Sequence, residues 1–358
     1  MTKSNWLAGG ALVALGLLTA PAAAQKPPVF PIGLDLVNVT VTVRDAHGGL
    51  VSDLGEDDFQ VLEDGRPQKL EVFAPAAGQV HAGERAPRTT ALRCARCGEV
   101  VAVSEWQTVP ECPHGHRTFD KGEREELALN LGMLFDTSDS MRDDLKLSQE
   151  SAIRFLDAIP RARDLLLVFF DRDIRISRYN SENQQGIFER ILETQGSGHT
   201  ALRDAIAVYV SRVNDTPGRK VLVIFTDGDD TTSQVPPQEV QRLLRSSEVT
   251  VYPVAFPGGA RPNSPDALRA HSFLHGLAEM TGGRVFQPSA SRELAAIYET
   301  LLGELGSQYV LGYTSDNAKR DGRFRRITVE LKRPGLKARH RRGYDAPKDL
   351  PPLQARKK

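Results

Sequence analysis

The sequence predicts an α/β fold, a doubly wound and mostly parallel sheet, flanked by a small β-domain built from N- and C-terminal segments. Between residues 126 and 305, short apolar runs alternate with amphipathic helical stretches, the pattern of a parallel sheet covered by helices on both faces. On either side, residues 34–73 and 308–344 show strand-like alternation punctuated by turn residues. A chain of 358 residues with 40% hydrophobic and 26% charged residues is folded rather than disordered, and is long enough for two domains.

Residues 1–24 read as a signal peptide. Lys3 precedes an apolar run over 6–20, and Pro21-Ala22-Ala23-Ala24 offers a small-residue cleavage site, which predicts a mature start at Gln25 and a secreted or periplasmic protein. The run is short of the about 20 apolar residues of a spanning helix and holds Gly9-Gly10, so an uncleaved anchor is the lesser alternative. No later segment is long enough to span, so no stable membrane span is expected after cleavage. Lys and Arg number 46 against 46 Asp and Glu, leaving no global field to favour nucleic acid, although 332–342 is locally basic.

Residues 25–75 form the N-terminal β segment, with strands expected at 34–43, 59–63 and 69–73 around the turns Asp45-Ala46-His47-Gly48-Gly49 and Asp64-Gly65. A unit of about 50 residues has a marginal core and needs a partner surface. The C-terminal segment 307–346, with strands at 308–313, 325–332 and 339–344, can supply it, which makes the central module an insertion between two halves of one β-domain. Residues 76–93, rich in Ala, Gly, Pro and Arg, read as a linker, and 347–358 as a flexible tail.

Within 94–119, Cys94-Ala95-Arg96-Cys97-Gly98 and Cys112-Pro113-His114-Gly115-His116 resemble the two knuckles of a zinc ribbon. Cys94, Cys97 and Cys112 would be completed by His116, with His114 the alternative, around a structural Zn2+. One disulfide with a free thiol is the competing reading for an exported chain.

The central module, 124–306, has strands expected at 127–135, 165–170, 221–225 and 249–256 and a short one at 284–287. Helices are expected at 142–159, 201–210, 240–244, 268–281 (ending at Gly282-Gly283) and 291–305. The apolar run Leu131-Gly132-Met133-Leu134-Phe135 passes directly into Asp136-Thr137-Ser138-Asp139-Ser140, so a buried strand ends on oxygen ligands spaced D-x-S-x-S. Gly198-His199-Thr200 precedes another helix, and Asp227 in Phe225-Thr226-Asp227-Gly228-Asp229 ends another buried strand. Alone, each reads as a cap or a turn. Together, at one carboxyl edge where open α/β sheets bind ligands, they suit a hard cation: Mg2+, Mn2+ or Ca2+.

In order and context these three segments resemble the metal-ion-dependent adhesion site of von Willebrand factor type A (VWA) domains. The resemblance covers about 126–305, and the flanking β segments resemble a group of exported bacterial proteins that carry such a domain. It implies that Ser138, Ser140 and Thr200 bind the cation directly, that Asp136 and Asp227 act directly or through water, and that a partner protein's Asp or Glu completes the coordination. The expected activity is therefore protein binding, as an adhesion or scaffold module, not catalysis. In some relatives the last helix, here 291–305, shifts on ligand binding.

A metal-dependent hydrolase, phosphoesterase or peptidase, is the alternative. Phe135-Asp136-Thr137-Ser138 looks like an aspartic-protease motif, but that chemistry needs a second matching aspartate. A dehalogenase-type phosphatase needs an acid where Ser138 stands, and no G-x-S-x-G occurs. His199 is expected to be an exposed loop histidine, and Asp139, Asp229 and Asp230 solvated loop charges.

Overall fold

A computed structural model describes residues 36–74, 76, 89–93, 100–104, 129–158, 164–179, 184–196, 198–214, 219–258 and 263–348. The N-terminal strands are β1 (Leu36–Arg44), β2 (Phe59–Glu63), β3 (Arg66–Gln68) and β4 (Val72–Ala74), followed by an antiparallel pair, β5 (Thr89–Arg93) and β6 (Val100–Ser104). The central module comprises β7 (Leu129–Asp136), α1 (Leu145–Ala158), β8 (Asp164–Phe170), β9 (Ile174–Tyr179), α2 (Gln184–Glu193), α3 (Leu202–Val213), β10 (Arg219–Thr226), α4 (Pro237–Ser246), β11 (Val249–Ala255), α5 (Pro265–Thr281) and α6 (Ser291–Gly306). The chain closes with β12 (Gln308–Thr314), β13 (Phe324–Leu331), β14 (Lys337–His340) and β15 (Gly343–Asp345).

The central sheet runs β11-β10-β7-β8-β9, parallel except for β9, which is antiparallel to β8. β7 lies in the middle and is buried over Asn130–Asp136, which is why it reads as a continuous apolar run. Its alternate side chains feed two cores. Leu131, Met133 and Phe135 pack with α1, α2 and α6, while Leu134 packs with α3, α4 and α5. The sheet is therefore doubly wound. Gly132 is the point of closest approach: a Cβ there would stand 1.9 Å from the ring of Tyr209 on α3, whose hydroxyl donates to the Val221 carbonyl at 3.1 Å.

The flanking segments form two four-stranded antiparallel sheets, β14-β1-β12-β4 and β15-β13-β2-β3, sharing one core that includes Val39, Val41, Phe59, Tyr309, Leu311 and Ile327. The two ends of the chain are interleaved, since β1 lies between β14 and β12, and β13 between β15 and β2. Glu63 of β2 is buried and accepts from Tyr313, Tyr344, Ser315 and Arg325. Burial works against its charge, but these bonds outweigh that and hold its pKa below the ordinary value. At the junction of the modules, fully buried Glu304 near the end of α6 meets Arg44 of β1 at 2.6 Å, Arg284 at 3.1 Å and Arg339 of β14.

Several elements differ from expectation. In place of one strand at 69–73, β3 ends at Gln68 and β4 begins at Val72, because Asp64-Gly65 closes a tight β2–β3 hairpin and β4 then crosses to the other sheet to pair with β12. The strand expected at 284–287 is reduced to a single bridge, Val254 with Phe286. The edge strand β9 and helix α2 were not expected, for Ile174–Tyr179 carries exposed arginines at 175 and 178, which break the apolar pattern, and α2 contains Gly186. Helix α5 begins at Pro265, capped by Ser264, whose hydroxyl accepts from the Ala267 N–H at 3.2 Å. β5 lies inside the stretch expected to be linker. The signal peptide over 1–24, the cysteine knuckles (Cys94, Cys97, Cys112, His114, His116) and the tail beyond 348 lie outside the described residues. Among the described residues, no helix is long and apolar enough to cross a membrane.

Because neither α3 nor β7 can retreat from the sheet, Gly132→Ala should lose about 1–3 kcal/mol by overpacking, measured as a lowered midpoint in urea with an unchanged slope.

Candidate metal centre

The registers bring the expected site residues to one level. β7 pairs Phe135 with Phe225 of β10 and Asp136 with Phe170 of β8, and Thr226 of β10 pairs with Ala255 of β11, so all four strands release their loops at the same carboxyl edge. Asp136 is fully buried, its Oδ1 accepting from the Ser138 N–H at 3.0 Å and its Oδ2 from the Thr226 hydroxyl at 2.5 Å. The Ser138 and Ser140 hydroxyls are 3.0 Å apart, and Ser140 also hydrogen-bonds Asp227. Asp227 in turn accepts the Asp229 N–H at 3.0 Å on Oδ1.

Burial, and then the charge of Asp227, push the Asp136 carboxyl up to about 7. Burial also raises the pKa of Asp227. The two carboxylates therefore sense each other. The groups that donate to them, the hydroxyls of Thr226 and Ser140 and the N–H groups of Ser138 and Asp229, are all neutral.

Thr200 is buried and held by its backbone: its N–H donates to the Thr231 hydroxyl, and its carbonyl accepts the N–H groups of Thr231 and Thr232, all at 3.0 Å. The loop bearing it is tied to the first by Asp139 N–H to the Gly198 carbonyl at 3.1 Å. All five expected ligands thus lie on loops from one sheet edge. Two carboxylates and three hydroxyls are hard oxygen donors that fit a divalent cation such as Mg2+. Groups of three or more His, Cys, Asp or Glu that could hold a metal are not found among the described residues.

Residues 130–300 match the family model of the von Willebrand factor type A domain. This part of the chain is a VWA domain. Among solved structures, the chain is similar to proximal thread matrix protein 1 from the mussel byssus with a zinc-occupied adhesion motif, at 18% identity and a TM-score of 0.40, covering 52% of this chain and 47% of that one. It is also similar to a von Willebrand factor type A structure from Catenulispora acidiphila, at 13% identity and a TM-score of 0.42, covering 82% and 74%. A third is the pilus adhesin SpaC of Lactobacillus rhamnosus, at 8% identity and a TM-score of 0.41, covering 63% and 44%. The matched part spans about half the length of the mussel protein. Comparison with curated proteins gives no match.

Other residues of the VWA domain shape the site without having been expected to. Thr137, inside D-x-S-x-S, points away from the other oxygens and donates to the Phe170 carbonyl and to Asp171, each at 3.1 Å. Arg175 reaches both Asp171, at 2.7 Å, and the Thr137 hydroxyl. Burial opposes the charge of Asp171, but Arg175, the Asp173 N–H and Thr137 together outweigh it and keep the pKa low. The Asp171 carbonyl accepts the Ala201 N–H at 2.8 Å, joining this unit to the Thr200 loop.

On the far side, Gly258 (φ +68) lies against Asp227, where a Cβ would fall 2.3 Å from Oδ2, and its N–H donates to Asp144 at 2.9 Å. Asp230 is not a solvated loop charge. It pairs with Arg203 at 3.1 Å, accepts the Arg203 N–H at 2.8 Å and binds Ser233, so it fixes the start of α3. Asp139 is exposed beside Arg142, and His199 is exposed.

In chelator, the folded state takes a proton at Asp136 near pH 7, while an unfolded aspartate does so near its ordinary 3.8. The stabilising contribution of that proton is complete below the lower value and lost as pH rises through the upper one. The denaturation midpoint should therefore fall as pH rises from about 4 to 7 and level off above that, and Asp136→Asn should flatten that dependence. Gly258→Ala should cost about 1–3 kcal/mol in chemical denaturation. Gly276→Ala, at an open helical position with nothing within 4 Å, should be neutral or stabilising.

Proposed function

We propose that this VWA domain binds a divalent cation, Mg2+ or alternatively Mn2+ or Ca2+, through Asp136, Ser138, Ser140, Thr200 and Asp227, and uses it to dock a partner protein. What carries this reading is the meeting of Asp136, fully buried, and Asp227, half-buried, two like-charged groups served by neutral donors. Such a pair is costly to ionise unless a cation balances it. The protein's role is to hold that pair and the serine hydroxyls level at the sheet edge; bound there, the cation supplies a Lewis-acidic position for an anionic oxygen. The partner then presents an Asp or Glu, whose carboxylate is attracted only when the site is loaded.

VWA domains are in the main interaction modules rather than enzymes. The signal-like residues 1–24 support placing this one outside the cytoplasm, with its β-domain as the mount. A structural zinc held by Cys94, Cys97, Cys112 and His116 forms part of the same proposal.

Titration calorimetry with Mg2+ and Mn2+ should show a single-site affinity that falls by at least about a hundredfold in Asp136→Ala and in Thr200→Ala, more than is usual for loss of an outer-shell contact. Capture of a partner from the exported fraction should require the metal and be lost in both variants. Unchanged metal affinity in both would remove the site. Metal-dependent turnover of a phosphate ester or peptide, abolished by the same substitutions, would instead establish a hydrolase.

A further inference from the structure

A second set of ligating side chains lies outside the oxygen site. His271 and His275 stand one turn apart on α5, both exposed, with ring centroids 5.4 Å apart and planes inclined by 34°. Two imidazole nitrogens at about 2.0–2.1 Å from one tetrahedral ion put their ring centres about 5 Å apart. The rings are thus already near chelating separation. The amide of Gln287 lies against the ring nitrogens of His271. It is held there because Phe286 bridges to Val254 and accepts the Ala255 N–H at 2.7 Å. Turned over and drawn back from the ring to ligand spacing, that amide offers its oxygen as a third donor.

We propose that His271, His275 and Gln287 form a binding site for a borderline transition-metal cation of the Zn2+, Ni2+ or Cu2+ class. Imidazole favours these ions, whereas the oxygen site suits a hard cation such as Mg2+. The helix that carries the pair packs against the loop of Asp227. A Cβ on Gly228, the neighbour of Asp227, would lie 3.1 Å from the Ala270 carbonyl and 2.9 Å from Leu274, the residues preceding each histidine. Three protein donors leave a coordination position open to water or to a donor from another molecule.

Both histidines occupy exposed helical positions where alanine is a good helix former, so the variants keep the fold. Chelator-stripped full-length chain, dialysed against Ni2+, should bind one more ion than His271→Ala/His275→Ala, a difference that cancels any ions held elsewhere. Each single variant should weaken this ion by at least about tenfold, because chelation is lost with either ring. Gln287→Ala should weaken it less, and Asp136→Ala should leave it bound. An identical Ni2+ count in the double variant overturns the site, and an unchanged affinity in Gln287→Ala removes Gln287 from it. Either result leaves the Mg2+ reading of the oxygen site to stand or fall separately.

Discussion

A carboxylate brought into a protein interior must be neutralised, hydrogen-bonded or matched by a cation, and Asp136 is the place where this chain meets that requirement. Its position is forced by the sheet: β7 is the central strand, so its last residue emerges between the ends of β8 and β10 and is fully buried. Everything near it answers to that burial. Thr226, the last residue of the neighbouring strand, turns its hydroxyl to Oδ2, and the loop following Asp136 turns back so that the Ser138 N–H meets Oδ1. Those bonds stabilise the anion, yet its raised pKa shows that they do not compensate burial and the second carboxylate together.

The surrounding shell is rigid for reasons that differ from side to side. Toward β8, Thr137, Asp171 and Arg175 make an ion-paired brace joining the first loop to the entry of α3. Toward β11, the constraint is steric: Gly258 packs against Asp227 with no room for a side chain, and Asp144 holds it there. Between them, Asp230 anchors the start of α3 through Arg203. The loops at this edge are thus framed by a salt bridge on one flank and by close packing on the other.

Much of this was legible in the residues. Strand β7 announces itself through an apolar run ending in acid and hydroxyls, and Gly282-Gly283 marks the end of α5 by supplying the left-handed turn that a helix terminus needs. The three loops proposed to carry ligands could be grouped because each follows a strand or precedes a helix in a regular alternation. What could not be read was set by neighbours distant in sequence. Gly258 looks like any loop glycine until Asp227 is placed beside it, Asp230 like a surface charge until Arg203 arrives, and Thr226 like an ordinary strand residue until Asp136 lies opposite. β9 was missed because an antiparallel edge strand exposes one face and so lacks the apolar density of the four parallel strands. The interleaving of the terminal strands was foreseen as a possibility from a core too small to stand alone, although the division of 66–74 between two sheets was not.

The placement of β1 between β14 and β12 also bears on the order in which the molecule can be built. The first strand leaves the ribosome early, but both of its ladder partners are encoded after the whole VWA domain. Until Gln308–Thr314 has been made, β1 has open edges on both sides, the condition under which strands pair with strangers. The central domain, whose parallel strands are joined by helices close in sequence, can close first and carry the late strands toward the waiting ones as α6 runs through Ser307 into β12. The sandwich can therefore close only after the strands that follow the VWA domain are present, which makes it the high-contact-order part of the fold.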